Sequence, residues 1–190
     1  MTAMNGPTAR VTHHHGNLKE ALIEYALAAA RAGTLEALSL RQASRDLGVS
    51  PGAAYRHFPD RDTLLRTVAS RGFDALAELF EAALPFASEA ASAEEARRRF
   101  IALGEAYVAF ARENYGLWRL MFGPYGFTWV QPTGRPPTYA WLEKALGDMA
   151  RWGLIRPVDA SAQFFAWSAI HGLSDLQASP AIDASRTQGP

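Results

Sequence analysis

Cysteine is absent from the 190 residues, which excludes disulfides, thiolate metal sites and cysteine nucleophiles. Net charge is absent too: 19 Lys and Arg balance 19 Asp and Glu, so the chain as a whole is no general polyanion binder. The first dozen residues lack the apolar stretch of a secretory signal. No apolar run approaches the roughly 20 residues that span a bilayer. The expectation is a soluble, cytoplasmic protein with no membrane partner. Strand-like alternation of apolar and polar residues is missing throughout, as are internal repeats. What is left is an all-α fold.

What is present is unevenly spread. Residues 1–72 carry 9 Lys and Arg against 6 Asp and Glu, and four of the five histidines. The aromatics go the other way, 3 before residue 73 and 18 after it. A mildly basic, aromatic-poor front is joined to an acidic, aromatic-rich back, and two different tasks follow from that split.

The front holds two helix starts in quick succession. Ser39 with Gln42 has capping-box spacing, and Gly48 ends that helix because it enters the left-handed region without penalty. Ser50 caps the next helix, and Pro51 sits in its first turn, where a missing N–H costs nothing. Two short helices, about 39–47 and 51–58, joined by a tight Gly-containing turn form a helix-turn-helix. A helix predicted from Asn17 to Ala32, with the stripe Leu18, Leu22, Tyr25, Ala29, precedes them. A long one follows, capped by Asp60, with Leu65, Val68, Gly72, Leu76, Leu79 and Ala83 along one side.

Reading a DNA groove needs a narrow helix with phosphate-binding groups beside it. The second short helix fits: Pro51, Gly52, Ala53 and Ala54 are small, so the backbone can approach base edges. Tyr55, Arg56 and His57 then offer a hydroxyl, a guanidinium and an imidazole to phosphate. Arg61 starts the next helix, and Ser39 and Arg41 start the preceding one. With Ser50, these are the candidate DNA-binding residues. An ordinary helical hairpin with solvated charges is the plainer alternative, since helix-turn-helix spacing by itself is a weak signal.

The back is helical as well. Ser92 and Glu95 have capping-box spacing, and Phe100, Leu103, Tyr107 and Phe110 recur at helical intervals. The piece "YGLWRLMF" precedes a loop from Gly123 to Thr138 rich in Gly and Pro. Two last helices are predicted at about 138–152 and 160–178. Each has two apolar stripes: Tyr139, Leu142, Leu146, Met149 with Trp141, Ala145, Trp152, and Phe164, Trp167, His171 with Phe165, Ala169, Leu173, Leu176. A helix apolar on two sides needs cover on two sides. A second copy of the chain packed on these two helices supplies it, although full burial within one chain is the alternative.

The residues Gly48-Val49-Ser50, Tyr55-Arg56-His57-Phe58, Arg61 and Leu64 resemble the signature of the TetR/AcrR family of transcriptional regulators. "AYVAFARENYGLWRLMFG" and "WSAIHGL", with Trp167, His171 and Gly172, resemble its subgroup with a WHG-type C-terminal domain. The resemblance implies a flexible basic arm (1–14), a TetR-type helix-turn-helix domain (15–75), a helical effector-binding and dimerisation domain (76–178) and a flexible tail (179–190). It further implies a homodimer on a partly palindromic double-stranded operator, usually a repressor, released by a small-molecule effector. Tyr55, His57 and Arg61 become phosphate contacts, and residues 50–54 lie where bases are read. Arg61 replaces the more frequent Lys, which changes donor geometry. Ala43-Ser44 stands where a larger aliphatic and Ala are common, so looser packing of the first short helix is expected.

Candidate effector-binding residues are Phe100, Tyr107, Phe110, Trp118, Phe122, Trp141, Phe164, Trp167 and His171, against the reading that aromatics at helical spacing are only core. His13-His14-His15, with Arg10, reads as an arm near the DNA backbone rather than a metal site. His171 and Asp175 share a helix face, and a histidine bonded to a nearby acid is preferred to a metal pair. Neither a nucleophile elbow, a Gly-rich phosphate loop nor an HExxH pattern occurs, so neither catalytic residues nor cofactors are assigned. A DNA-binding regulator without an effector is the remaining alternative.

Overall fold

The computed structural model describes residues 17–126 and 137–179. Expectations placed on the arm with Arg10 and His13–His15, on residues 127–136 and on the tail after Ser179 lie outside them. The described residues are helical, without a strand: α1 (Leu18–Arg31), a 3₁₀ turn (Leu35–Ala37), α2 (Leu40–Asp46), α3 (Pro51–His57), α4 (Arg61–Ala83), α5 (Ala93–Glu113), α6 (Tyr115–Met121), α7 (Thr138–Arg151) and α8 (Ala160–Ala178).

The caps explain most of the boundaries. Ser39 Oγ accepts from the Gln42 amide, Asp60 from that of Thr63, and Ser92 from that of Glu95. At the Ser92 cap the Glu95 carboxylate reaches back one residue further than the cap, accepting from the Ala91 amide at 2.8 Å. That bond, with Arg99 behind it, holds the Glu95 carboxyl below its usual range. Gln42 does not reach back to Ser39; its amide donates to Asp46 Oδ1 at 2.7 Å. Asn17 and Ser50 occupy cap positions without a side-chain bond. Gly33 and Gly48 take positive φ (both 69°), the left-handed turn that ends each helix.

Two predicted stripes turn out rotated. The buried face of α1 is Leu22, Ile23, Ala26, Leu27 and Ala30, because this side lies on α4 and α6, while Leu18 and Tyr25 are only partly covered. In α4, Leu79 is exposed and Phe80 buried. A 3.6-residue repeat drifts over 23 residues, and the far end of α4 turns its ring toward Tyr107 and Trp141.

α1, α2, α3 and the start of α4 form the head. Ala43, Ser44 and Ala54 are fully buried, and Ser44 Oγ donates to the Leu40 carbonyl at 2.7 Å. The small pair at 43–44 therefore sits tightly, without the expected looseness. Tyr25 donates to Asp46 at 2.6 Å and Arg71 pairs with Glu20 at 2.9 Å, tying α1 to α2 and α4. The rear of α4 with α5–α8 forms the body.

Within the body, α6 is the helix that meets α1 of the head. A side chain at Gly116 would place its Cβ 1.9 Å from the Ala30 carbonyl oxygen, so only glycine lets α6 close on the end of α1. A Cβ at Gly72 would come 2.5 Å from the Met121 sulfur, on a flexible side chain that can shift. None of the described helices is long and apolar enough to cross a membrane.

Candidate functional site

α3 is short because Pro51 opens it and the chain turns extended at Phe58, whose buried ring anchors the unit. That anchoring leaves the opposite side of α3 in solvent. Ser39, Arg41, Ser50, Pro51, Gly52, Tyr55, Arg56 and His57 are all exposed, and Ala53 is half-buried. Tyr55 keeps 42% of its surface in solvent, high for an apolar ring. Nothing lies within 4 Å of a Cβ added at Gly52. Among the described residues, no hydrogen bond or ion pair engages the side chains of Arg41, Tyr55, Arg56 or His57. The helix thus offers a small first turn and unspent polar groups behind it.

Arg61 is placed differently from its neighbours. Its Nε–H donates to the Leu38 carbonyl at 3.0 Å and Nη2 to that of Leu35 at 2.8 Å, while Nη1 reaches Tyr125 Oη at 3.4 Å. The guanidinium supplies the donor to the Leu38 carbonyl and a second one to that of Leu35, which already accepts from the Leu38 amide. It faces the protein and touches the body through Tyr125.

The body contains a cavity of about 610 Å³ between α4, α5, α7 and α8. Of the expected effector residues, Phe100, Tyr107, Phe122 and Trp167 line it. Phe110, Trp118 and Trp141 are buried in the core instead, and Phe164 is exposed. Trp141 is held there by its N–H donating to the Leu84 carbonyl at 3.1 Å and by the rings of Phe80 and Phe86. Phe73, Phe80, Ile101, Tyr139, Leu142 and Ile170 line the cavity and were not anticipated, because helical spacing shows which residues are inward but not where packing leaves a gap.

Tyr107 is the polar centre of this region. Trp167 Nε1–H donates to its hydroxyl at 3.0 Å, and the hydroxyl lies 2.9 Å from His171 Nδ1. Burial keeps the tyrosine proton on, pushing its pKa up, and burial likewise lowers that of His171, against an opposing pull from Asp175. With a neutral imidazole we assign the order Trp167 to Tyr107 to His171, which uses each donor and acceptor once. The partner of His171 is therefore Tyr107, not the expected Asp175. His171 is also stacked on Trp118, ring centres 5.0 Å apart, and meets the edge of Phe122 at 4.5 Å. Among the described residues no group of acidic and histidine side chains is arranged to hold a metal.

α8 leaves much of its apolar surface uncovered. Phe164 is 55% exposed, Phe165 75%, Leu173 45% and Leu176 57%. The second stripe of α7 is different: Trp141 and Ala145 are buried within the chain, and Trp152 donates to the Ala90 carbonyl at 3.1 Å. Arg151 and Asp148 bind the same Ala90 segment, closing the α4–α5 connection onto the end of α7.

Comparisons with known proteins agree with this architecture. Residues 100–188 match a family described as tetracyclin repressor-like, C-terminal domain. A solved protein of unknown function from Rhodococcus sp. RHA1 is 32% identical, with 95% of this chain and 91% of that one covered at a TM-score of 0.63. TetR family transcriptional regulator PfmR from Thermus thermophilus is 24% identical over 80% of this chain and 84% of its own, TM-score 0.50. A possible TetR family transcriptional regulator from Streptomyces coelicolor A3(2) shares 18% identity over 90% and 81%, TM-score 0.55. A search of the curated proteins finds no match.

Proposed function

The chain belongs to the TetR family of transcriptional regulators, and we propose that it is a homodimeric repressor, released from a partly palindromic operator by a small molecule in the α5–α8 cavity. The observation that carries this reading is the exposed face of α3, with small residues where bases are read and unengaged polar side chains behind them. Tyr55, Arg56 and His57 contact phosphate from α3, and Ser39 and Arg41 do so from the start of α2. Gly52 and Ala53 offer no side-chain bonds to bases, so selectivity draws on Ser50, backbone groups and DNA shape. Arg61 acts from behind, holding the 3₁₀ turn and α2 in place.

The uncovered side of α8 supports a partner copy there, with α7 alongside. Such a dimer sets its two recognition helices about 34–36 Å apart, one turn of DNA. Release uses the tight junction. Phe122 lines the cavity and follows α6, whose Gly116 and Met121 abut α1 and α4. A molecule that displaces Phe122 moves α6 and, with it, the head.

The test is selection of bound duplexes from a random pool, with affinities read at two salt concentrations. A pseudo-palindrome with steep salt dependence is expected, together with uniform weakening by Tyr55→Ala. No enrichment over bulk DNA, or a Tyr55→Ala variant with unchanged affinity, would defeat the reading.

A further inference from the structure

The cavity also constrains what can enter it, an inference that rests on the proposed effector role of this space. Its walls are rings and aliphatic side chains: Phe73, Phe80, Phe100, Phe122, Trp167 and Ile170. Among the described residues two charged side chains line it, Glu105 and Arg112, and both are exposed, so they belong to the edge. They stand two turns apart on α5 with opposite signs, leaving little net field for an ion. Tyr107 keeps its proton, and its hydroxyl is already bonded to Trp167 and His171. A carboxylate or ammonium carried inside would be stripped of water and meet no counterion among the described residues, at a cost far above what ring contacts return.

We propose that the effector is an uncharged, ring-bearing, predominantly apolar molecule whose polar group, where it has one, lies at the edge formed by Glu105, Arg112 and Gln177. Aromatic walls can also attract a cation through their faces. Cation binding of that kind gains most from a carboxylate at depth, and among the described residues the one carboxylate lining this cavity is exposed and offset by Arg112.

The experiment titrates the full-length protein with four naphthalenes of one skeleton: the methanol, the carboxylate, the methylammonium and the trimethylammonium. Binding is read by calorimetry, and displacement from an operator duplex is read in parallel. Gly104→Leu is the blocking variant. Gly104 lines the cavity, a Cβ added there meets only Ile170 Cδ1, at 4.0 Å, and leucine favours the helix. A thermal melt confirms folding, and Ile170→Trp is a second block from α8.

The alcohol should bind, each ion at least about tenfold more weakly, and either block should weaken the alcohol at least about tenfold. An ion that binds as well as the alcohol and is lost on blocking overturns the inference while leaving the cavity as the effector site. Binding indifferent to both blocks, or absent for all four compounds, overturns it as well. Alcohol binding that the blocks abolish but that never frees DNA upholds the inference and sinks ligand release.

Discussion

Head and body are both helical, yet they are packed by opposite rules. The head closes on small side chains: Ala26, Ala30, Ala43, Ala54 and Ala69 are all buried to the last percent or so, and its helices approach closely. Its unengaged polar groups stand on the outer side of α3. The body is built of rings, which meet edge-on and at tilted angles and do not fill the volume between α5 and α8. Protein interiors are close-packed by default, so a large void among aromatic walls calls for a purpose. The body also leaves α8 apolar toward solvent, where the head leaves polar groups. The contrast shows where each half is open to a partner: the head through the polar outer side of α3, the body through its cavity and the uncovered side of α8.

The largest effect should come from breaking the junction that joins these halves. Gly116→Ala puts a Cβ against the Ala30 carbonyl, a backbone atom that cannot give way. Urea unfolding should show a loss of about 3 kcal/mol. Gly52→Ala, in open space on α3 and at an ordinary φ, should leave stability unchanged or slightly raised. Equal midpoints for the two variants would mean that α6 does not bear on the head as described.

A charge on the exposed side of α8 comes next. Phe165 is the most exposed large apolar side chain of this helix, and Phe165→Glu should weaken self-association about thirtyfold or more. Sedimentation over a concentration series measures it. A wild-type protein that stays monomeric at all concentrations removes the dimer, and with it the palindrome.

The two arginines of the head separate the outward from the inward role. Arg56→Ala should lower the slope of log affinity against log salt by about one, with little change in stability. Arg61→Met should do the reverse, costing about 1–2 kcal/mol of stability by removing the donor to the Leu38 carbonyl and the second donor to that of Leu35. A salt slope that falls for Arg61→Met would return Arg61 to the DNA surface.

The legibility of the sequence follows the same division. The head could be read residue by residue because its boundaries are local: Ser39, Gly48, Pro51 and Asp60 act on their own few neighbours. The bounds of α7 and α8 and the start of α5 were legible to within a residue. The side chains that cross between helices were not. Nothing near Arg61 in sequence says that Leu35 and Leu38 will offer it carbonyls, or that Tyr125 will meet it. Trp141 and Trp167 look equivalent as aromatic positions on apolar helices. One is core and the other lines the cavity, because the difference lies in what α4 and α5 bring opposite them.

The smallest effect concerns His171, the polar end of the body's aromatic cluster. Burial lowers its pKa from the ordinary 6.5, with Asp175 pulling the other way and Tyr107 bonded to Nδ1. Above pH 6.5 the imidazole is neutral in both the folded and the unfolded chain, and its bond to Tyr107 is intact. As pH falls below that value the unfolded chain takes up the proton first, so stability declines until the lower folded value is passed. Melts at pH 7.5 and 5.5 should therefore show a loss on acidification that His171→Asn reduces, since asparagine can accept from Tyr107 but does not titrate in that range. The same two melts on Phe165→Glu should keep the full loss, because Phe165 lies on the uncovered side of α8. An unchanged loss in His171→Asn would place the pH dependence elsewhere and leave the imidazole as a packing group among rings.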